Sequence, residues 1–275
     1  MLIVTDGLVL REVLYRDSDK MLTILTRDRG KIPASCPGAR SRQGSMRAGT
    51  QLLSYSNFTL YEYRGRYSVN AAEPEELFIG LRKDILSLSL ASYMAEVLDA
   101  ITEEEDPAAE VLTTGLNCLY ALSVHKKPRE LIKAVFELRV MMLAGYAPDA
   151  SQCSVCGKSD VEDPVFNVKT GLISCSCCMS KESYHEGYQE DYNEDGSSGM
   201  PRQYRQNLLP GKAVVPLCSR SLLALRYILA AEPKKFLSFS VEEKPLKLLS
   251  QAAELYLLSR LEREFSTLDF YKSLL

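Results

Sequence analysis

Two pairs of cysteines constrain the fold of this chain more than any other feature of its sequence. They read Cys153-Ser154-Val155-Cys156 and Cys175-Ser176-Cys177-Cys178, with 18 residues between the pairs. That spacing is typical of a four-thiolate zinc site, because a two-residue gap lets one tight turn offer two thiolates to the same ion. We therefore predict one structural Zn²⁺ per chain, bound by Cys153, Cys156, Cys175 and Cys178, with no coordination position left open for chemistry.

The same cysteines allow other interpretations. They could be four unpaired thiols or two disulfides, and Cys177 could replace Cys178 as a ligand. Met1-Leu2-Ile3-Val4 gives no sign of a secretory signal, and no apolar run reaches 18 residues, so we expect a cytoplasmic protein with no membrane span. A reducing compartment favours metal over disulfides.

The charge of the chain is unevenly distributed. The net charge is -3, from 33 basic and 36 acidic residues. Residues 1–70 hold 11 of the basic and 6 of the acidic residues, a local net charge of +5, which leaves a net of -8 for the rest. This asymmetry predicts a basic binding domain joined to a more acidic body.

Residues 1–73 show the pattern of a small β-barrel. Short apolar runs alternate with polar residues and are separated by glycines. Tyr63-Arg64-Gly65-Arg66-Tyr67 is typical of a hairpin turn between two strands. About five strands in this length indicate a five-stranded OB-type β-barrel, a frequent nucleic-acid-binding fold.

Basic residues cluster in this predicted barrel beside aromatic ones. Cations for phosphates and flat rings for bases are what a single-strand site requires, and Tyr61, Tyr63 and Tyr67 supply the rings. The alternative is a solvated, glycine-rich loop with tyrosines in the core. We predict DNA contacts from eight residues: Arg27, Arg29, Lys31, Arg40, Arg42, Arg47, Arg64 and Arg66.

The period of the apolar residues changes after Glu73-Pro74. Residues 74–152 and 208–275 carry apolar side chains at helical spacing, so we predict one helical domain in two parts. Its first helix is expected from about Leu77 to the acidic run at Glu103, and later helices at about Ser219–Ala231 and Leu246–Phe265. The zinc module occupies residues 153–180, and residues 181–207 have the composition of a disordered insertion. The predicted fold class is α+β.

No catalytic motif is evident. His185-Glu186 lacks the second histidine that a zinc metalloprotease helix needs, because the fifth position is Gln189. The phosphate-binding loop, the zinc deaminase signature and the G-x-S-x-G elbow are all missing from the sequence. We therefore expect a binding protein and not an enzyme.

The order of these features resembles the bacterial recombination and repair mediator family RecO. Thr26-Arg27-Asp28-Arg29-Gly30-Lys31 is similar to the family's strand and turn, and Gly38-Ala39-Arg40 to its loop. The four-cysteine module, with Gly157, Phe166 and Gly171, is similar to the family's zinc module. The resemblance covers nearly the whole chain apart from residues 181–207.

The resemblance implies a function in DNA recombination and repair. The expected activities are binding of single- and double-stranded DNA, annealing of complementary strands, and help in loading RecA on strands coated with the single-strand-binding protein SSB. The implied partners are RecR and the acidic C-terminal tail of SSB, and the implied location is the nucleoid. Lys126, Lys127, Arg129 and Lys133 are one candidate rim for that tail. Two alternatives are a zinc-ribbon nucleic-acid-binding factor outside recombination and a protein-binding scaffold.

Overall fold

A computed structural model describes residues 1–15, 18–39, 45–179 and 214–275. The chain divides into two compact units. Unit 1 contains Met1–Ile132 and Glu264–Leu275, and unit 2 contains Lys133–Arg263. The predicted insertion at 181–207 lies outside the described residues.

Unit 1 begins with a closed five-stranded barrel, as the sequence predicts. The strand order around the barrel is β1-β2-β3-β5-β4, in which the one parallel pairing joins β3 to β5. The strands are β1 (Leu2–Tyr15), β2 (Asp19–Thr26), β3 (Lys31–Cys36), β4 (Tyr55–Tyr63) and β5 (Arg66–Glu76).

Alternation along the strands fills the barrel with apolar side chains. Val9, Ile24, Phe58 and Leu60 are fully buried at its centre, which is what a period of two produces when one face of a sheet points inward. The predicted hairpin between β4 and β5 is confirmed, since Tyr63 pairs with Arg66. The two residues between them have positive φ angles of 52° and 72°, as a type I′ turn requires.

Three α-helices of unit 1 follow or cover the barrel. They are α1 (Ile85–Ile101), α2 (Ala109–Ser123) and, from the end of the chain, α6 (Ser266–Ser273). The expectation that α1 begins near Leu77 is wrong. Ile79–Lys83 form a 3-10 helix, and α1 starts only after Asp84, whose carboxylate accepts a hydrogen bond from the Ser87 backbone N–H at 2.9 Å. Asp84 is thus the N-cap that sets the start of α1.

The helix α3 (Arg129–Leu143) contains the boundary between the two units. Beyond it, unit 2 has a four-stranded sheet in the order β6-β8-β7-β9. The strands are β6 (Asp149–Cys153), β7 (Pro164–Asn167), β8 (Leu172–Cys175) and β9 (Val214–Pro216).

Two further helices complete unit 2, namely α4 (Ser219–Ala230) and α5 (Glu243–Leu261). Both match predicted helices, but α5 starts and ends earlier than expected. It stops at Leu261 because Glu262 has a left-handed backbone conformation with φ of 47°. Among the helices in the described ranges, none is long and apolar enough to cross a membrane.

Candidate metal centre and nucleic-acid interface

Four cysteines of unit 2 converge on one point. Cys153 ends β6, Cys156 follows in a turn, Cys175 ends β8, and Cys178 lies in the helical segment at residues 176–179. Their Sγ atoms all lie within 4.8 Å of one another. The sequence pattern therefore brings together the four residues it selects.

The first cysteine pair is held by a tight backbone turn. The Gly157 N–H donates to the Cys153 carbonyl at 2.9 Å, and the Cys153 N–H donates to the Lys158 carbonyl at 2.8 Å. Gly157 has a φ of +71°, a conformation that glycine adopts without steric cost. This turn points Cys153 and Cys156 toward the same position.

The sheet brings the second pair to the first. Strand β8 runs parallel to β6, and the Ser154 N–H donates to the Ile173 carbonyl at 2.8 Å. The Cys175 N–H points at the Cys153 sulfur at 3.3 Å. A backbone N–H directed at a sulfur atom stabilises the thiolate form of the cysteine, and the thiolate is the form that binds a metal ion.

The thiols of this cluster differ in acidity. Burial alone would raise the pKa of Cys153, but the backbone N–H groups of Cys156 and Cys175 lower it to about 6. Burial and the neighbouring thiols raise the pKa of Cys175 to about 11. The pKa of Cys178 is also raised, chiefly by its hydrogen bond with Cys156. Four thiolates this close need a cation to offset their mutual repulsion.

The cluster fits a tetrahedral thiolate site. A zinc–sulfur bond of about 2.3 Å places sulfurs about 3.8 Å apart at tetrahedral corners, and the sulfurs of Cys156 and Cys175 are 3.9 Å apart. Cys178 lies in the cluster, whereas Cys177 is exposed and outside it. No disulfide joins any of the eight cysteines, all of which lie within the described ranges. The four residues could bind a metal ion.

Three of the predicted DNA-binding residues lie in the turn between β2 and β3. We call residues 27–31 the basic turn, after Arg27, Arg29 and Lys31. The guanidinium of Arg27 is 3.8 Å from the Asp6 carboxylate, and the Lys31 ammonium is 3.3 Å from that of Asp99. Lys31 also donates to the Asp99 carbonyl at 2.7 Å. Two of these three cations therefore have anionic neighbours.

Two more of the predicted DNA-binding residues lie in the hairpin between β4 and β5, which we call the basic hairpin (residues 61–66). Arg64 and Arg66 are exposed, and within the described residues neither forms an ion pair. The Arg64 guanidinium lies 5.2 Å from the centre of the Tyr63 ring. Tyr63 and Tyr61 are 57% and 46% exposed, so about half of each side chain is accessible from outside, with Arg64 over the Tyr63 ring.

The remaining three belong to the segment between β3 and β4. Arg47 is exposed at the end of a 3-10 helix, Ser45–Arg47, next to Met46, which packs against the barrel core. Arg40 and Arg42 lie outside the described residues. Tyr67, predicted to stack with bases, packs against the barrel core instead.

The candidate rim for the SSB tail is wrong at one position. Lys133 is buried, and its ammonium lies 2.8 Å from both Glu137 and Glu254. Arg129 also faces an anion, since it lies 2.6 Å from Asp84. The sequence does carry a signal for the buried pair, because Lys133 and Glu137 stand four residues apart within an apolar run.

The anionic neighbours of the basic turn could not be found from the sequence. Asp6 lies in β1, so the rest of β1 and all of β2 separate it from Arg27 in the sequence. Asp99 follows Lys31 by 68 residues. The acidic run from Glu103 to Asp106 suggests only a helix end in the sequence. In the structure its backbone lies against the basic turn, where the Lys31 N–H donates to the Glu103 carbonyl at 3.0 Å.

Comparisons with known proteins cover both units. The family model for the N-terminal part of recombination protein O matches residues 1–78, and the model for its C-terminal part matches residues 82–191. A DNA repair protein RecO from Acetivibrio thermocellus is 31% identical over 272 residues, which span 98% of this chain and 96% of that protein. The DNA repair protein RecO of Alkaliphilus metalliredigens is 36% identical over 184 residues, 67% of this chain and 75% of that one. The DNA repair protein RecO of Heliobacterium modesticaldum is 36% identical over 182 residues, which span 64% of this chain and 66% of that protein.

Proposed function

Because this chain belongs to the RecO family of DNA repair proteins, we propose that it is a DNA-binding recombination mediator and not an enzyme. In this proposal it binds single- and double-stranded DNA, anneals complementary strands and assists the loading of RecA on SSB-coated strands. One observation carries the DNA-binding part, namely the basic hairpin with its two exposed tyrosines.

The basic hairpin has the two chemical elements of a single-strand site. Tyr61 and Tyr63 offer flat faces on which bases can stack, worth about 1–3 kcal/mol per base. Arg64 and Arg66 offer cations for phosphates, with no ion pair inside the described structure to compete for them. None of these contacts reads a base edge, so binding should be independent of sequence.

Annealing follows from the same chemistry. Two DNA strands repel each other, and a cationic surface that binds both lowers the repulsion where they meet. Arg47 adds an exposed cation at the end of a 3-10 helix that contacts strand β5, and Arg40 and Arg42 precede it in the chain. We propose that Arg47 extends the surface started by the basic hairpin, and that Arg40 and Arg42 also contact DNA.

The cysteine cluster has a structural role in this proposal. Cys153, Cys156, Cys175 and Cys178 would hold one Zn²⁺ with four thiolates, which closes its coordination shell. When bound, the ion would join β6, β8 and the segment after β8. The chain's own contribution is the turn after β6 and the helical segment after β8, which bring the sulfurs together, and the N–H groups that favour thiolates.

RecR and the SSB tail remain proposed partners that rest on the family alone. The buried Lys133 removes one cation from the rim considered for the tail, and Arg129 already pairs with Asp84. No surface for either partner is therefore assigned. A cytoplasmic, nucleoid-associated location is part of the same proposal.

A salt titration with paired variants tests the DNA-binding part. Binding of a fluorescent dT oligonucleotide is measured by anisotropy against salt for wild type, R64A/R66A and the control K234A/K235A, which removes two exposed cations of unit 2. R64A/R66A should weaken binding and reduce the log–log salt slope by about 1.4, or 0.7 per lost phosphate contact. The control should match wild type. Equal binding by all three proteins would exclude the hairpin as the DNA site.

An annealing assay on SSB-coated complementary strands separates the proposed mediator from its alternatives. The mediator should accelerate annealing, and R64A/R66A should slow it in parallel with the loss of affinity. A zinc-ribbon factor outside recombination would bind DNA without annealing coated strands. A protein-binding scaffold would show no salt-dependent DNA binding.

A further inference from the structure

The basic turn is joined by its backbone to an acidic segment of the same unit. We call residues 103–106 (Glu103, Glu104, Glu105 and Asp106) the acidic turn. The Lys31 N–H donates to the Glu103 carbonyl at 3.0 Å, and the Glu105 N–H donates to the Arg29 carbonyl at 3.0 Å. Gly30 and Glu104 form a β-bridge between these bonds. The two turns therefore lie side by side like strands of a sheet.

Gly30 makes this close approach possible. A Cβ atom at this position would lie 2.1 Å from the Glu103 carbonyl oxygen and 2.5 Å from that of Asp106. Only a residue without a side chain lets the backbones come so near. The contact between the two turns therefore depends on a glycine at position 30.

The pairing brings the backbone of the acidic turn next to that of the basic turn, since paired backbones lie about 5 Å apart. Charges on exposed side chains of neighbouring segments act on each other over a Debye length of about 8 Å at physiological salt. All four acidic side chains of the acidic turn are exposed. With Asp6 beside Arg27 and Asp99 beside Lys31, the basic turn has six acidic residues on neighbouring segments, and its own three cations are accompanied by the exposed Asp28.

We propose that the acidic turn withholds the basic turn from DNA and so confines binding to the side of the barrel that carries the basic hairpin. This inference rests on the proposed DNA-binding function. An approaching phosphate meets an anionic border beside Arg27 and Arg29, and repulsion there offsets the attraction of the cations. The basic hairpin has no such border in its own residues, apart from the half-buried Glu62.

The consequence is that basic residues with similar sequence surroundings contribute differently to DNA binding. Arg64 and Arg66 release counterions when DNA binds, and each contributes to the salt slope. Arg27 and Lys31 mainly interact with carboxylates of their own unit. The acidic turn therefore limits affinity and marks one edge of the DNA path.

Neutralisation of the acidic turn tests this proposal. The variant E103Q/E104Q/E105Q keeps side-chain size and leaves the backbone bonds in place. The control E232Q/E242Q/E243Q makes the same change in net charge at exposed positions of unit 2. Both are compared with wild type by anisotropy on a fluorescent dT oligonucleotide over a range of salt, after thermal melts establish that they are folded.

The turn variant should bind the dT oligonucleotide about three- to tenfold tighter at low salt. Its log–log salt slope should be steeper by about 0.7 for each basic side chain that gains a phosphate contact. In addition, R27A/R29A should weaken binding more in the variant than in wild type. Unchanged affinity of the turn variant, or equal tightening by the control, would overturn the inference while leaving the proposed function intact. Wild-type protein that binds without salt dependence would overturn both.

Discussion

Lys133 and Glu137 form an ion pair of 2.8 Å in which the two side chains are only 5% and 0% exposed. The second carboxylate, that of Glu254 on α5, lies at the same distance from the ammonium. Burial alone would lower the pKa of Lys133, but these two carboxylates raise it above its usual value. Lys133 therefore carries its positive charge while buried in the interior of unit 2.

Removal of this lysine should be strongly destabilising. K133A leaves two carboxylates without their shared cation, and breaking a buried pair in this way typically costs about 3–5 kcal/mol. Urea unfolding measures the loss. The control K235A breaks an exposed pair with Glu232 and should cost less than about 1 kcal/mol. Similar losses in the two variants would contradict the importance assigned to burial.

Substitution of one cluster cysteine should remove the metal. C175S should lose about one equivalent of zinc and lower Tm by about 5 °C or more, because metal binding and folding are coupled at such sites. The control C177S changes an exposed cysteine outside the cluster and should keep both zinc and Tm. Metal analysis by mass spectrometry and a thermal melt give the two readouts. Wild-type protein without metal would disprove the assignment.

Two glycines with similar backbones should respond differently to alanine. Gly30 and Gly38 have φ angles of +58° and +66°, but a Cβ would collide with backbone only at Gly30. G38A should cost about 1 kcal/mol, the strain of a left-handed residue. G30A should cost several times more, since it also forces the acidic turn away from the basic turn. Comparable unfolding free energies for the two variants would show that the close approach relaxes without cost.

The N-cap of α1 should make stability depend on pH in the acidic range. The hydroxyl of Ser87 and then the guanidinium of Arg129 stabilise the Asp84 carboxylate, and they lower its pKa from 3.8 to about 2. A lowered pKa in the folded state contributes stability above the unfolded value, and that contribution is lost as the pH falls from about 4 toward 2.

D84N should therefore destabilise the protein by about 2 kcal/mol at pH 7. The difference from wild type should shrink as the pH approaches 2, because the wild-type carboxylate is then protonated. Urea unfolding at several pH values measures both proteins. E73Q, which neutralises an exposed carboxylate on β5, should follow wild type at every pH. A deficit for D84N that stays constant with pH would contradict the role of the charge.

The features that the sequence predicts correctly are local. Alternation with a period of two reveals the barrel strands, and the short gaps between cysteines reveal the cluster. The start of α1 is missed because the four-residue spacing of Leu77 and Leu81 continues that of α1, although Leu77 precedes the 3-10 helix Ile79–Lys83 and Leu81 lies within it. Only the cap at Asp84, held by Ser87 and Arg129, sets the boundary.

The electrostatics of the barrel could not be predicted, because its partners come from distant parts of the chain. Arg27 and Arg64 look alike in sequence, each beside a glycine or an aspartate in a predicted turn. Only the fold places Asp6 next to Arg27 and the acidic turn next to Gly30. A count of basic residues therefore overstates the number of cations that have no anionic neighbour.

The discontinuity of unit 1 has a consequence for the order in which the protein folds. The helix α6 packs on α1, where the Phe265 ring lies 5.7 Å from the fully buried Tyr93 ring, and Thr267 donates to Glu96. These residues reach the ribosome exit only after all of Lys133–Arg263. The barrel strands can pair early, because their partners are close in sequence. The face of α1 that carries Tyr93 lacks its α6 partner while Lys133–Arg263 is synthesised, so the nascent chain exposes an apolar surface during that interval.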